Sequence, residues 1–243
     1  MSVRRTLLGV LTPSSNTALE PLTSAMVGAI PGVSAHFSRF TVTRISLDDT
    51  ALGQFDDSKI LAAARLLADA RVDVIGWSGT AAGWMGFEQD RTLCRRIEDA
   101  TGIPATTSVL ALNEILERSA RKDFALVCPY TADVAARIAA NYDREGYRCV
   151  ATNRLDISEN FAFSEVDADT LTGQVREVAA SGPAAIAIYC TNLRAAHLVP
   201  QWEAEFGIPV FDTVSTVVWN MLRMTGHDPA QVIGWGRLFQ EVK

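Results

Sequence analysis

The chain has 243 residues, 48% of them hydrophobic, and a formal net charge of −6. That length and apolar content suit one large or two modest globular domains with a real core. An acidic balance without a basic cluster offers no footprint for nucleic acid, and the apolar runs are too short to span a membrane.

The opening "MSVRRTLLGVLTP" joins basic residues to a short apolar run. The run is too short for an export signal and ends in a turn, so it reads as a first strand of a cytoplasmic protein. A helix is expected over "NTALEPLTSAMVGAI" and a second strand over "VSAHFSRFTV". Then come a helix "SKILAAARLLADAR", a strand "VDVIGWS", a helix "FEQDRTLCRRIEDATG" ending at Gly102, a short strand "IPATTS" and a helix "VLALNEILERSA". Here the pattern begins again, with strand "DFALVCPY", helix "TADVAARIAANYDREG", strand "YRCVATNRL", helix "DADTLTGQVREVAASG" and strand "AAIAIYC". The alternation predicts an α/β fold with parallel sheets and helices on both faces.

"LGVLTPSSN" and "ALVCPYTAD" share one plan: strand, proline, hydroxyl-rich turn, helix. The chain therefore reads as two pseudo-symmetric Rossmann-like halves, residues 1–118 and 119–209. Residues 210–243 are expected to return and pack on the first half. Ligands of open parallel sheets sit beyond the carboxyl ends of the strands. Four turns qualify: Pro13–Asn16, Ser78–Ala81, Pro129–Thr131 and Cys190–Asn192. If the halves face each other, all four line one cleft.

Cys190 and Thr191 read as the opening of a helix, where free backbone N–H groups favour an anion. Thr191 adds a hydroxyl, and a thiol there can move a proton or attack carbon. Gly79 and Thr80 form the mirror turn, with Gly79 allowing close approach of backbone to ligand. The Tyr130 phenol can donate to a carboxylate; Asn160 can do likewise, and Asn16 can either do so or cap a helix. Arg44 reads as a solvated strand-end cation. The other cysteines (Cys94, Cys128 and Cys149) read as reduced thiols in the core, without C-x-x-C spacing. The three histidines form no triad, and no dinucleotide, phosphate-loop or metal spacing is present. The residues point to a cofactor-free, metal-free site that holds a carboxylate and presents one thiol.

"GVLTPSSNTALEP", "GTAAGWMG", "IEDATGIPATTS", "CPYTADV", "IYCTNL" and "GWGRLF" together resemble the aspartate/glutamate racemase superfamily, in the branch of maleate cis-trans isomerases and arylmalonate decarboxylases. The resemblance implies two α/β halves with the site between them. Racemases and isomerases of this kind use two cysteines, one per half. Here the second is Cys190, and Gly79 stands where the first would be, as in the decarboxylases. By resemblance, Thr80, Tyr130 and the N–H groups of Cys190 and Thr191 cradle one carboxylate. The other carboxylate leaves from an apolar pocket, and Cys190 protonates the resulting enediolate. Ala81 stands where decarboxylases carry a serine, removing one donor. Asn16 and Asn160 match polar contacts of the isomerases. A cysteine placed at 79 is expected to introduce racemase or isomerase chemistry. The leading expectation is a decarboxylase with Cys190 as sole proton donor. The alternatives are a maleate-type isomerase and a non-catalytic binder of small carboxylates. The expected partner is a small (di)carboxylate, with neither nucleic acid nor membrane, and exposed apolar helix faces would permit a homo-oligomer.

Overall fold

The apolar runs at the start of the chain become neighbours in a parallel sheet. The computed structural model describes residues 5–55 and 57–243. Its first half runs β1 (Thr6–Pro13), α1 (Leu19–Val27), β2 (Val33–Phe40), α2 (Asp49–Leu52), α3 (Asp57–Asp69), β3 (Val74–Trp77), α4 (Ala82–Met85), α5 (Phe87–Thr101), β4 (Ala105–Thr107) and α6 (Ser108–Arg118). The second runs β5 (Asp123–Cys128), α7 (Ala132–Arg144), β6 (Arg148–Arg154), α8 (Ala168–Ala179), β7 (Ile186–Ile188), α9 (Val199–Phe206) and β8 (Val210–Asp212). Helices α10 (Thr213–Met224) and α11 (Leu238–Glu241) follow. The sheet orders are β2-β1-β3-β4 and β6-β5-β7-β8, with every pairing parallel. The same order in both sheets is what the repeated strand–turn–helix plan predicted. Among the described residues, no helix is long and apolar enough to cross a membrane.

Strands β1, β3, β5 and β7 are central, and their side chains are buried almost throughout. Helices cover both faces of such a sheet, which is why these strands read as unbroken apolar runs. The helix boundaries have local causes. Thr107, Asp167 and Asp212 accept N-terminal N–H bonds of α6, α8 and α10, as capping residues do. Gly102 and Gly207 end α5 and α9 in the left-handed conformation.

Two expectations need correction. Val210–Asp212 does not return to the first half: β8 pairs with β7 and completes the second sheet. The crossing back begins with α10, which is buried at every position from Thr213 to Leu222. The helix after Cys190 starts only at Val199, with Pro200 in its first turn. Residues 190–195 form a non-helical turn, where Asn192 N–H is drawn to the Cys190 sulfur at 3.4 Å; local bonds of this sort compete with helix. The N-terminal stretch read against an export signal is strand β1 from Thr6 onward, while residues 1–4 lie outside the described residues.

Helix α10 locks against the first sheet through Gly76. A Cβ there would lie 2.6 Å from Met221 Sδ and 2.8 Å from Val217 Cγ2. Strand alternation then turns the next residue, Trp77, to the opposite face.

Two carboxyls are fully buried within this frame. Burial pushes both Asp90 and Asp212 up to about 7. The folded state therefore holds protons that the unfolded chain releases near pH 4. Their contribution to stability is complete below pH 4 and is lost as pH rises toward 7, by up to ~1.4 kcal/mol per pH unit per group. Urea unfolding is expected to show lower stability at pH 7 than at pH 5. Asp90→Asn, which stays neutral, should flatten that slope; an unchanged slope would contradict the assignment.

Candidate active site

Each sheet order reverses between its two central strands, β1 and β3 in one half, β5 and β7 in the other. Crevices open at such reversals. The turns after those four strands are the four singled out from the sequence, and hydrogen bonds cross between them. Thr80 Oγ1 and Tyr130 OH are 2.7 Å apart. Thr191 Oγ1 donates to the Ser78 carbonyl at 3.2 Å. Thr17 and Ala18 N–H both donate to Asn192 Oδ1, at 2.9 and 3.2 Å. Behind them, Asn141 Nδ2 donates to the Gly83 carbonyl at 2.7 Å, tying α7 to α4.

These turns enclose a cavity of about 20 Å³. Thr80, Tyr130, Asn160, Cys190 and Thr191 supply its polar lining, with Gly79 and Ala81 between them. Pro13, Val42, Ile45, Trp77 and Trp84 form an apolar wall. Among the described residues, the backbone N–H groups of Gly79, Thr80, Cys190 and Thr191 have no protein acceptor. Buried donors without a partner are rare and mark a place where an acceptor binds. The cavity thus offers an anion the Thr80 and Tyr130 hydroxyls on one side, on turns whose N–H groups are unpaired, and apolar surface on the other.

The Cys190 thiol is buried, and burial pushes it up to about 12. Asn192 N–H and the Tyr130 hydroxyl favour its thiolate, and Asp212 opposes it, but burial dominates. At neutral pH it is a thiol, able to give a proton. Tyr130 is raised well above its usual value by burial and by the nearby Cys190, so its phenol stays a neutral donor. Its ring is wedged edge-on between Trp84 and Phe163, centroids 5.3 and 5.6 Å away, which fixes where the hydroxyl points.

Asn16 does not reach the cavity wall. Its Oδ1 caps α1 through the N–H groups of Ala18 and Leu19, at 3.0 and 2.9 Å. Its Nδ2 donates to Thr191 Oγ1 at 3.2 Å. The Thr191 hydroxyl proton is therefore spent on Ser78, which leaves the backbone N–H as the donor of Thr191 available to a ligand. Asn160 does line the cavity, but its Nδ2 donates to Ser15 Oγ at 2.8 Å. Both amides hold the walls in place. Ala81 adds no donor, as its residue type requires. Arg44 is exposed and paired with Asp48 at 3.3 Å, and His197 is exposed on the surface. Cys94 and Cys128 are buried in the core, whereas Cys149 is only half-buried and its thiol donates to the Ala151 carbonyl at 3.4 Å.

Gly79 is enclosed more tightly than the sequence suggested. A Cβ there would lie 2.1 Å from Trp77 Cζ2 and 2.4 Å from Cε2. A cysteine at 79 cannot be accommodated unless the indole moves, so the expected gain of isomerase or racemase chemistry from that single change is withdrawn. Trp77, Trp84, Val42 and Ile45 were not singled out from the sequence, and Asn192 was named only as the end of its turn. Asn192 had a signal, since it follows Thr191 in the turn and donates its Nδ2 to the Asn160 carbonyl at 2.6 Å. The others read as core apolar residues, and nothing in a linear pattern tells a cavity wall from a core.

The sequence model of the family described as arylmalonate decarboxylase matches residues 10–239. The chain belongs to the arylmalonate decarboxylase family. A Pseudomonas putida maleate isomerase is 28% identical over 235 residues, covering 91% of this chain and 92% of the relative. The Bordetella bronchiseptica arylmalonate decarboxylase is 28% identical over 181 residues, 73% of this chain and 75% of the relative. A variant of the maleate isomerase of Pseudomonas putida S16, solved with maleate, superimposes with a TM-score of 0.89 at 25% identity, covering 97% and 98% of the two chains. The family consists of enzymes, decarboxylases and isomerases, and its sequence model spans the turns that build the cavity.

Proposed function

We propose that this member of the arylmalonate decarboxylase family removes one carboxylate from a malonate-type diacid through an enediolate, with Cys190 as its only proton donor. The observation that carries this reading is Gly79 beneath the Trp77 indole. Among the described residues, the first half lines the cavity of Cys190 with no thiol or carboxylate, and a Cβ at Gly79 would meet the indole. Ser78 is no substitute, because its hydroxyl is buried outside the cavity lining and has no protein partner.

One carboxylate accepts from Thr80, Tyr130 and the N–H groups of Cys190 and Thr191. The second lies against Pro13, Val42, Ile45, Trp77 and Trp84, where apolar surface replaces its hydration and favours its neutral product. The bond from the α-carbon to that carboxylate breaks and CO2 leaves. Its electron pair passes into the retained carboxylate, giving an enediolate with a second negative charge on oxygen. The fixed donors stabilise that charge, commonly the largest catalytic contribution. Cys190 then gives its proton to the α-carbon, and the thiolate is reprotonated from solvent. A neutral thiol is the form this step needs; covalent addition to a double bond would need the thiolate.

A maleate-type isomerase is the second reading. Asn160 on the cavity wall and the backbone likeness to the maleate isomerase favour it. A cytoplasmic location accords with four free cysteines, and exposed Leu66 and Ile233 leave self-association open.

Proton NMR in D2O with methylmalonate, phenylmalonate and maleate tests the reading. The expected result is loss of a carboxylate from a malonate, with one deuterium at the α-carbon. Fumarate formed from maleate would overturn it in favour of the isomerase. Binding without turnover of any of the three would leave a carboxylate-binding protein.

A further inference from the structure

Trp77 is the last residue of β3, and its indole lies over Gly79 with only 2% of its surface exposed. Phe40 packs against it at a centroid distance of 4.9 Å and an angle of 50°. Trp77 lines two cavities. One is the cavity of Cys190, about 20 Å³. The other, also about 20 Å³, is walled by Ile60, Met85, Gln89, Asp90 and Leu93. Trp77 and Ala81 are the two residues common to both walls. Ala81 is small, so the indole is the main partition between them.

A cavity must approach roughly 150 Å³ to take a benzene ring. Even a small diacid needs more than 20 Å³, so some wall must yield. The walls differ in how they are held. Val42 and Ile45 sit on the segment after β2, which joins the other half through two backbone bonds: Ile45 N–H to the Ser158 carbonyl at 2.8 Å, and Asn160 N–H to the Thr43 carbonyl at 2.9 Å. Val42 is also held within its own half, where its carbonyl accepts from Ser15 Oγ at 2.6 Å and its N–H donates to Ser14 Oγ at 3.2 Å, so the Ile45 end is the one that can part from the other half, at the cost of those two backbone bonds. Trp77 is anchored in the sheet, with β1 and β4 paired to its strand on either side, and its ring is clamped between Phe40 and Gly79. Space can open on the loop side and not on the Trp77 side.

We propose that Trp77 is the specificity-determining partition of this site, limiting the α-substituent to the size of hydrogen or methyl, so that the substrates are short aliphatic malonates rather than arylmalonates. This rests on the carboxylate-binding reading above and adds a substrate class to it. Shortening residue 77 joins the two cavities and admits a ring.

The test is calorimetric binding of two unreactive monocarboxylates, propanoate and phenylacetate, to the wild type and to Trp77→Leu. The wild type is expected to bind propanoate at least about tenfold more tightly than phenylacetate, and Trp77→Leu to bind phenylacetate about tenfold more tightly than the wild type does, the range one apolar pocket commonly gives. The readout is the ratio of the two affinities rather than either one alone, because Trp77 also lines the cavity that holds the carboxylate. Should Trp77→Leu fail to fold, Trp77→Phe shortens the ring, keeps an aromatic on Phe40, and should shift the ratio in the same direction by a smaller factor. A wild type that binds phenylacetate as tightly as propanoate overturns the partition, as does a folded variant with an unchanged ratio. Methylmalonate turnover, followed in parallel, separates the two readings. A wild type that discriminates between the two acids without releasing CO2 keeps the partition and loses the decarboxylase. Binding of neither acid by any variant overturns both.

Discussion

Cys190→Ala is expected to lower turnover of a malonate substrate by about 10³–10⁴-fold, the upper part of the range for a lost general acid. Affinity for the carboxylate should stay within about threefold, because the cradle uses the backbone N–H of residue 190 and not its side chain. The size of the effect follows from the surroundings. Of the hydroxyls lining the cavity, that of Tyr130 interacts with Cys190, and burial holds it well above its usual value. A phenol so placed gives up its proton reluctantly. Residual product from Cys190→Ala should be protonated from solvent and lose facial preference, which deuterium labelling and chiral separation would show. Turnover within tenfold of the wild type, in a folded variant, would remove Cys190 from the proton-donating role.

Tyr130→Phe and Thr80→Val should each lower kcat by about 10²–10³-fold with a smaller change in KM, since each removes a donor to charge that grows in the transition state. Their hydroxyls share one bond of 2.7 Å across the two halves. Removing either partner leaves the other misdirected, so the double variant should lose much less than the product of the single losses. Multiplicative losses would mean that the two hydroxyls act independently and that the bond between them is incidental. Tyr130→Phe also strands a buried hydroxyl on Thr80, which should cost about 1–3 kcal/mol of stability. Steady-state kinetics on all three variants, with urea unfolding beside them, separates the catalytic loss from the structural one.

The two halves were legible because the forces behind them are local. Buried parallel strands require unbroken apolar runs such as "DFALVC", and their helices require the 3.6-residue spacing of "FEQDRTLCRRIEDAT". Misreadings arose where a local signal met a longer-range competitor. Residues 190–195 have a helical pattern on their C-terminal side, but bonds to Ser78, Thr17 and Asn160 hold them in a turn. Strand β8 was assigned to the wrong half because a three-residue run says nothing about which sheet it joins. Asn16 was read as a ligand contact or a helix cap; its Oδ1 caps α1 and its Nδ2 donates to Thr191. A hydrogen bond across 175 residues leaves no trace in spacing.

By itself, then, the sequence determined the α/β class, the repeated half, the four strand-end turns and the lone thiol at one of them, because each depends on residue type and short-range periodicity. Only the tertiary structure decided which hydroxyls remain free, which amides are spent on the frame, and that an indole fills the space over Gly79. Those are matters of contact between residues far apart in the chain, and contact is settled by packing, not by pattern.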